Sequence, residues 1–232
     1  MSHKQPITAL HFIARALDAG ACTTLLDVGC GAGGLKRHIE KLGVIWTGVD
    51  PAVPGAGSDI HRAGAEALPF DAGAFDAVLF LNSLHHVPPP LMGAALGEAL
   101  RVLAPSKGPV IVIEPDISGD LSEALRRVDD ETQIRTNAQA ALEDIVTSGR
   151  ATRQAAYSYI RHERYQDFDN FTARLSAADA SRAASICRHR AALEDDFHRL
   201  ATRDDRRFVL CQPMNVCLLR GAKGLITENH PI

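Results

Sequence analysis

The sequence predicts an α/β fold, a doubly wound and mostly parallel sheet with helices on both faces. Three observations carry that reading. Short apolar runs alternate with helical patterns through the first half of the chain, the rhythm of a parallel sheet covered by helices. Each run is compact and apolar throughout, as strands buried on both faces require. A glycine-rich stretch follows the first run, and an acid stands at the end of the second.

The strand candidates are Thr24–Val28, Val44–Val49, Ala74–Leu81 and Pro109–Ile113. Between the last two lies a helix, because Met92, Leu96, Ala99 and Leu103 recur at three and four residues. Pro88-Pro-Pro90 suits its first turn and Pro105 its end. After Pro115 the rhythm changes. Asp120 with Glu123 reads as a reciprocal cap on a long polar helix reaching Ser148, with Gly149 as its stop. Tyr157–Tyr165 alternates like a strand. Ile186, Arg190, Leu193, Phe197 and Leu200 then line one helix face, and Arg207–Leu219 closes strand-like, broken by Pro213. We expect one domain over residues 1–232: a binding core at 20–116, a helical and strand cover at 117–207, and a final strand at 208–220.

The chain has 232 residues, a hydrophobic share of 46% and a formal net charge of −3. That size buries a substantial core, and that charge argues against nucleic acid or an anionic membrane as partner. Arg126 and Arg127 are interleaved with Asp129, Asp130 and Glu131, a solvated face rather than a basic patch. No leader or membrane-length apolar run is visible, and the five cysteines form no C-x-x-C pair. A reducing, cytoplasmic setting is expected, with no metal set at ligand spacing.

The chemistry centres on Leu25-Leu-Asp-Val-Gly-Cys-Gly-Ala-Gly-Gly-Leu35. Gly29, Gly31 and Gly34 permit a tight turn and let a ligand approach the backbone. A helix opening after the loop would offer N–H groups to an anion. About twenty residues on, Asp50 can accept two hydrogen bonds from a ribose diol. The same glycines spell the G-x-G-x-x-G of dinucleotide binders, so an NAD-type oxidoreductase is a second reading. Asp27 opposes it, because a carboxylate there repels a pyrophosphate and suits an ammonium group.

Several motifs occur in order: Asp27-Val-Gly-Cys-Gly, Gly48-Val-Asp50, Ala65-Glu-Ala-Leu-Pro-Phe70, Phe75-Asp-Ala-Val, Leu84-His-His86 and Glu98-Ala-Leu-Arg-Val-Leu-Ala-Pro105. Together they resemble the type 11 branch of class I methyltransferases, over roughly Leu25 to Glu114. The resemblance implies a Rossmann-like, seven-stranded sheet with a helical cover after the fifth strand. It implies S-adenosylmethionine as cofactor, S-adenosylhomocysteine as product and a small-molecule acceptor. Gly29 and Gly31, with Cys30 between them, would line the methionine part, and Asp27 would face its ammonium. Asp50, followed by Pro51, would grip the ribose, Ala65 and Glu66 the adenine edge, while Asn82 and Ser83 would lie beneath the sulfonium. Where the family often has Asp before the Ala-Glu pair, this chain has Gly64.

Methyl transfer needs acceptor, methyl and sulfur in line, and a base only when the acceptor keeps its proton. His86 is the first candidate and His85 the second, since they follow the strand whose end should face the methyl. Glu114, Asp116, Tyr159 and His162 are further candidates. A protein that binds S-adenosylmethionine without transferring its methyl is the third reading.

Overall fold

The computed structural model describes residues 8–53 and 59–222; the N-terminal stretch read above for a leader lies outside them. The elements run α1 (Ala9–Ala19), β1 (Thr24–Val28), α2 (Lys36–Glu40), β2 (Ile45–Val49), β3 (Ile60–His61), β4 (Ala77–Leu81), α3 (Met92–Val102) and β5 (Val110–Pro115). There follow α4 (Asp120–Leu125), α5 (Thr132–Thr147), β6 (Ala151–Tyr165), α6 (Phe168–Ala178), α7 (Arg182–Leu200), β7 (Thr202–Asp204) and β8 (Arg207–Gly221). Among the described residues, no helix is long and apolar enough to cross a membrane.

One sheet contains all the strands, in the order β3-β2-β1-β4-β5-β8-β6, with β7 paired to β8 alone. Among the described residues it therefore has eight strands, one more than expected, the extra one being the three-residue β7. The pairs β2·β3, β1·β2, β1·β4 and β4·β5 are parallel. Their register brings Val28 level with Val49 and Phe80, and Leu81 level with Ile113. The residues that follow these strands therefore emerge together at one edge of the sheet, where ligands of such sheets bind. Every residue of β5 is buried, which is why its sequence is an unbroken apolar run up to Glu114.

The chain forms two compact units. The first comprises Met1–Glu114, Asn137–Tyr157 and Asn215–Ile232; the second comprises Pro115–Thr136 and Ser158–Met214. Residues 137–157, inside the segment expected as a cover, thus fold with the first unit. Strands β6 and β8 pass from one unit into the other, and Pro213, which cannot donate to a ladder, stands beside that passage in β8. The first unit packs Leu26, Val28, Val78, Phe80, Leu96 and Val112 into its core. In the second, Phe171 and Phe197 stack at 4.9 Å and Tyr165 meets Phe171 edge-on.

The long polar helix expected from Asp120 is two helices, α4 and α5. Asp130 Oδ1 accepts the Thr132 N–H, a local turn that begins α5 afresh. The expected reciprocal cap also does not form. Gly119 precedes α4 with φ of 117°, and the Asp120 carboxylate instead accepts the Cys211 N–H at 3.1 Å. Gly149 does end α5, with φ of 73°.

Phe197 is fully buried among five other rings of the second unit, those of Tyr165, Phe168, Phe171, His198 and Phe208. Phe197→Ala is expected to cost about 3–5 kcal/mol, because the site cannot collapse fully. Amide exchange in α6 and α7 should accelerate accordingly, and unchanged protection there would contradict the packing described.

Candidate active site

The loop after β1 is tied to the end of β2 by main-chain hydrogen bonds. Gly29 and Cys30 both donate their N–H groups to the Val49 carbonyl, at 2.8 and 3.2 Å. Gly31 donates to Asp50 Oδ2 at 2.9 Å, and Ala52 donates to Asp50 Oδ1 at 2.8 Å. The loop turns through Gly29, Gly31 and Gly33, all at positive φ. The third left-handed position is therefore Gly33, not Gly34. The expected helix N-terminus is also absent from the loop's exit, since α2 starts only at Lys36 and spans five residues. Three successive loop N–H groups point at β2 instead of toward an anion.

Beneath the loop, Trp46 and Gly48 make room for each other. A Cβ at Gly48 would stand 2.5 Å from both Cys30 Sγ and the Trp46 ring. Trp46 Nε1 donates to Asp27 Oδ2 at 3.1 Å. Asp27 is 4% exposed. Burial pushes its carboxyl up to about 6, the Trp46 donor pulls the other way, and the Asp50 charge adds to the rise. Cys30 is pushed up to about 12, chiefly by burial and then by Asp27 and Asp50, so it carries no reactive thiolate.

A cavity of about 510 Å³ opens at the carboxyl ends of β1, β2 and β4. Its wall includes Gly29, Asp50, Pro51, Ala65, Glu66, Asn82, Ser83 and His86, eight of the residues singled out in the sequence. Ala52, Ala63, Gly64, Val87, Pro88 and Leu91 complete the wall on its apolar side, and the motifs gave no individual signal for most of them. Asp27, Cys30 and Gly31 are not on the wall. Asp27 lies behind it with Trp46, so direct contact with a ligand ammonium is not what the geometry provides. A Cβ at Gly64 would stand within 2.7 Å of the Glu66 carboxylate, so a side chain there would require the Glu66 carboxylate to move.

Asn82 follows β4 with φ of 53°, a conformation that Asn tolerates better than most residues. Its Oδ1 is buried and has no hydrogen-bond partner. Ser83 Oγ donates to the Val28 carbonyl at 2.6 Å, joining the ends of β4 and β1. His86 is exposed on the wall, whereas His85 is 4% exposed and turned away from it. His85 Nδ1 pairs with Glu114. His85 is therefore corrected from second base candidate to an interior group. Glu114 is likewise interior, and Asp116 is occupied by the N–H and hydroxyl of Ser118. Tyr159 and His162 belong to the second unit.

An open parallel sheet with an acid after its second strand and a cavity at its carboxyl edge defines a ligand-binding α/β domain. Residues 26–111 match the family model described as a methyltransferase domain. A ubiquinone biosynthesis O-methyltransferase of Paraburkholderia xenovorans is 35% identical over 98 residues, covering 37% of this chain and 41% of that protein. The chain thus spans about two fifths of that relative's length. Among solved structures, the YcgJ protein of Bacillus subtilis aligns with a TM-score of 0.55 at 16% identity, over 92% of this chain and 98% of that one. The [4+2]-cyclase SpnF aligns with a TM-score of 0.53 at 19% identity, over 92% and 81%. At these identities the likeness shows the fold.

The raised Asp27 value has a consequence for stability. The native state holds this proton more tightly than the unfolded chain, so the Asp27 contribution to stability falls as pH rises from about 4 to about 6 and is flat above. Asn mimics the protonated acid and keeps an acceptor for Trp46. Asp27→Asn should gain roughly 2 kcal/mol relative to wild type between pH 4 and pH 7, most of the linkage value of a shift this size. Denaturant melts at both pH values check this, and a constant difference would contradict it.

Proposed function

We propose that the protein transfers a methyl group from S-adenosylmethionine to a small-molecule acceptor, leaving S-adenosylhomocysteine. The observation that carries this is the cavity wall, which unites Asp50, Glu66 and the Asn82–His86 turn from three separate segments. The residues fit the cofactor. A carboxylate has about four acceptor positions, and main-chain donors take one on each Asp50 oxygen, which leaves room for a ribose diol. The orphan Asn82 Oδ1 offers an acceptor to a ligand donor. The cavity volume lies in the range of small-molecule sites.

Asp50 would hold the ribose, Ala65 and Glu66 the adenine edge, and Gly29 the methionine chain, with Asn82 and Ser83 below the sulfonium. Asp27 would act from behind the loop, as a charge and not as a contact. When bound, the sulfonium supplies an electrophilic methyl. The chain aligns the acceptor and keeps water out, and His86 takes the proton of a hydroxyl or amine at its imidazole. Oxygen is favoured as the receiving atom because the curated relative is named an O-methyltransferase. Val87, Pro88 and Leu91 favour an acceptor with an apolar face.

The oxidoreductase reading lacks support, because the loop N–H groups that would cradle a pyrophosphate are committed to Val49 and Asp50. Binding without transfer is tested directly, since one fold hosts many chemistries and SpnF of this fold is a cyclase. Labelled methyl transfer should appear against a panel of substituted phenols and amines. S-adenosylhomocysteine should bind by calorimetry and NADH should not. Binding with no turnover on any acceptor would favour the non-catalytic reading.

Two substitutions divide binding from chemistry. Asp50→Ala should weaken S-adenosylhomocysteine by roughly 2–4 kcal/mol, about 30- to 1000-fold, through loss of hydrogen bonds to a charged acceptor. An unchanged affinity in the folded variant removes Asp50 from the site. His86→Ala should lower kcat with little change in cofactor affinity. A wild-type rate would assign the proton to another group or to the acceptor itself.

A further inference from the structure

Behind the cavity wall lies a buried polar pair that the proposed chemistry does not use. Glu114, which closes the first segment of the first unit, is 4% exposed near the end of β5. Its Oε1 accepts the N–H groups of Ser83 and Leu84 at 3.0 and 2.8 Å. Its Oε2 pairs with His85 Nδ1. The three contacts are consistent when the acid accepts at all of them, which makes His85 Nδ1 a donor. The His85 ring in turn packs on the His86 ring, with centroids 4.0 Å apart at 44°. His86 N–H closes onto the Ser83 carbonyl at 3.2 Å, completing a tight 3₁₀ turn over Leu84–His86.

An acid buried at the end of an all-apolar strand costs free energy unless its acceptors are filled. Here they are filled by one short segment, the segment that carries the wall residues Asn82, Ser83 and His86. We propose that Glu114 and His85 are positioning residues, which fix the turn after β4 and, through the tilted contact of the two rings, the orientation of the His86 imidazole toward the cavity. Neither lines the cavity. The inference rests on the reading of His86 as the group that faces the acceptor.

The physical logic is that of a rigid support behind a reacting group. A misplacement of about 1 Å in a reacting group costs on the order of a hundredfold in rate. One proton between Glu114 and His85 sets the imidazole's flip. The two main-chain N–H groups hold the carboxylate so that it cannot follow His85 elsewhere. The ribose side of the site is anchored separately, through Val49 and Asp50. Loss of the pair should therefore affect rate and not cofactor affinity.

Two variants test this in the full-length protein with ring-nitrogen-labelled histidine. Glu114→Gln keeps an oxygen for the two main-chain donors but presents an amide donor to His85, so the His85 proton must move to Nε2. His85→Asn keeps a donor toward Glu114 and removes the ring from His86. With S-adenosylhomocysteine as probe, both variants should bind within about threefold of wild type. The His86 imidazole signals, single in wild type, should broaden or double in both, and Glu114→Gln should show the His85 tautomer change. On an acceptor that wild type methylates, kcat should fall about tenfold or more with the cofactor KM within threefold. Sharp, unchanged His86 signals in a folded variant overturn the proposal, as does a wild-type kcat. If Glu114→Gln does not fold, His85→Asn alone decides by the same criteria. Absence of turnover in wild type would instead count against the transfer reading, while the His86 signals still judge the positioning.

Discussion

The structure depends on the tie between the glycine loop and the end of β2. Gly29, Cys30 and Gly31 spend their N–H groups on Val49 and Asp50, so the loop's shape and the acid's position are one constraint. A carboxylate pulled this way by main-chain donors cannot swing into solvent. It stays at the cavity edge with its remaining acceptor positions turned to the ligand side. The glycines are needed because three positions in the loop take a left-handed backbone, and Gly48 is needed because the Trp46 ring and Cys30 fill the space where its side chain would be.

The end of β4 is built on a second, independent tie. Ser83 Oγ reaches the Val28 carbonyl, and Glu114 holds the Ser83 and Leu84 N–H groups from β5. The cavity thus stands between two braced edges, one on β2 and one on β5, with β1 common to both. This division explains how a single wall can carry groups for binding and groups for chemistry without a shared support.

Much of the first unit was legible in the sequence, because strands buried on both faces write themselves as compact apolar runs. Thr24–Val28 coincides with β1, and the others differ by a few residues at their ends. Of the ten cofactor and two base candidates, eight line the cavity, and Asp27, Cys30, Gly31 and His85 do not. What sequence could not resolve was direction. Leu84-His-His86 presents two equal imidazoles, and only the tight turn decides that one faces outward and the other meets Glu114. A lone acid closing Val110–Pro115 was the available signal for that partner, and it read as a base instead. Likewise β3 is too short to leave a pattern, and the break between α4 and α5 comes from a side-chain hydrogen bond of Asp130, which competes with helix at a spacing that apolar periodicity does not register.

Trp46 is the chain's one tryptophan. Its indole edges Gly33 and Gly48 and gives its N–H to Asp27. The protein's strongest fluorophore is therefore wired to the one buried acid beneath the glycine loop. An indole donating to a neutral acid and one donating to an anion sit in different local fields, so the emission carries the charge state of Asp27 as an optical signal. The fold comes with its own indicator dye, placed under the part of the sheet where a ligand's charge would be felt first.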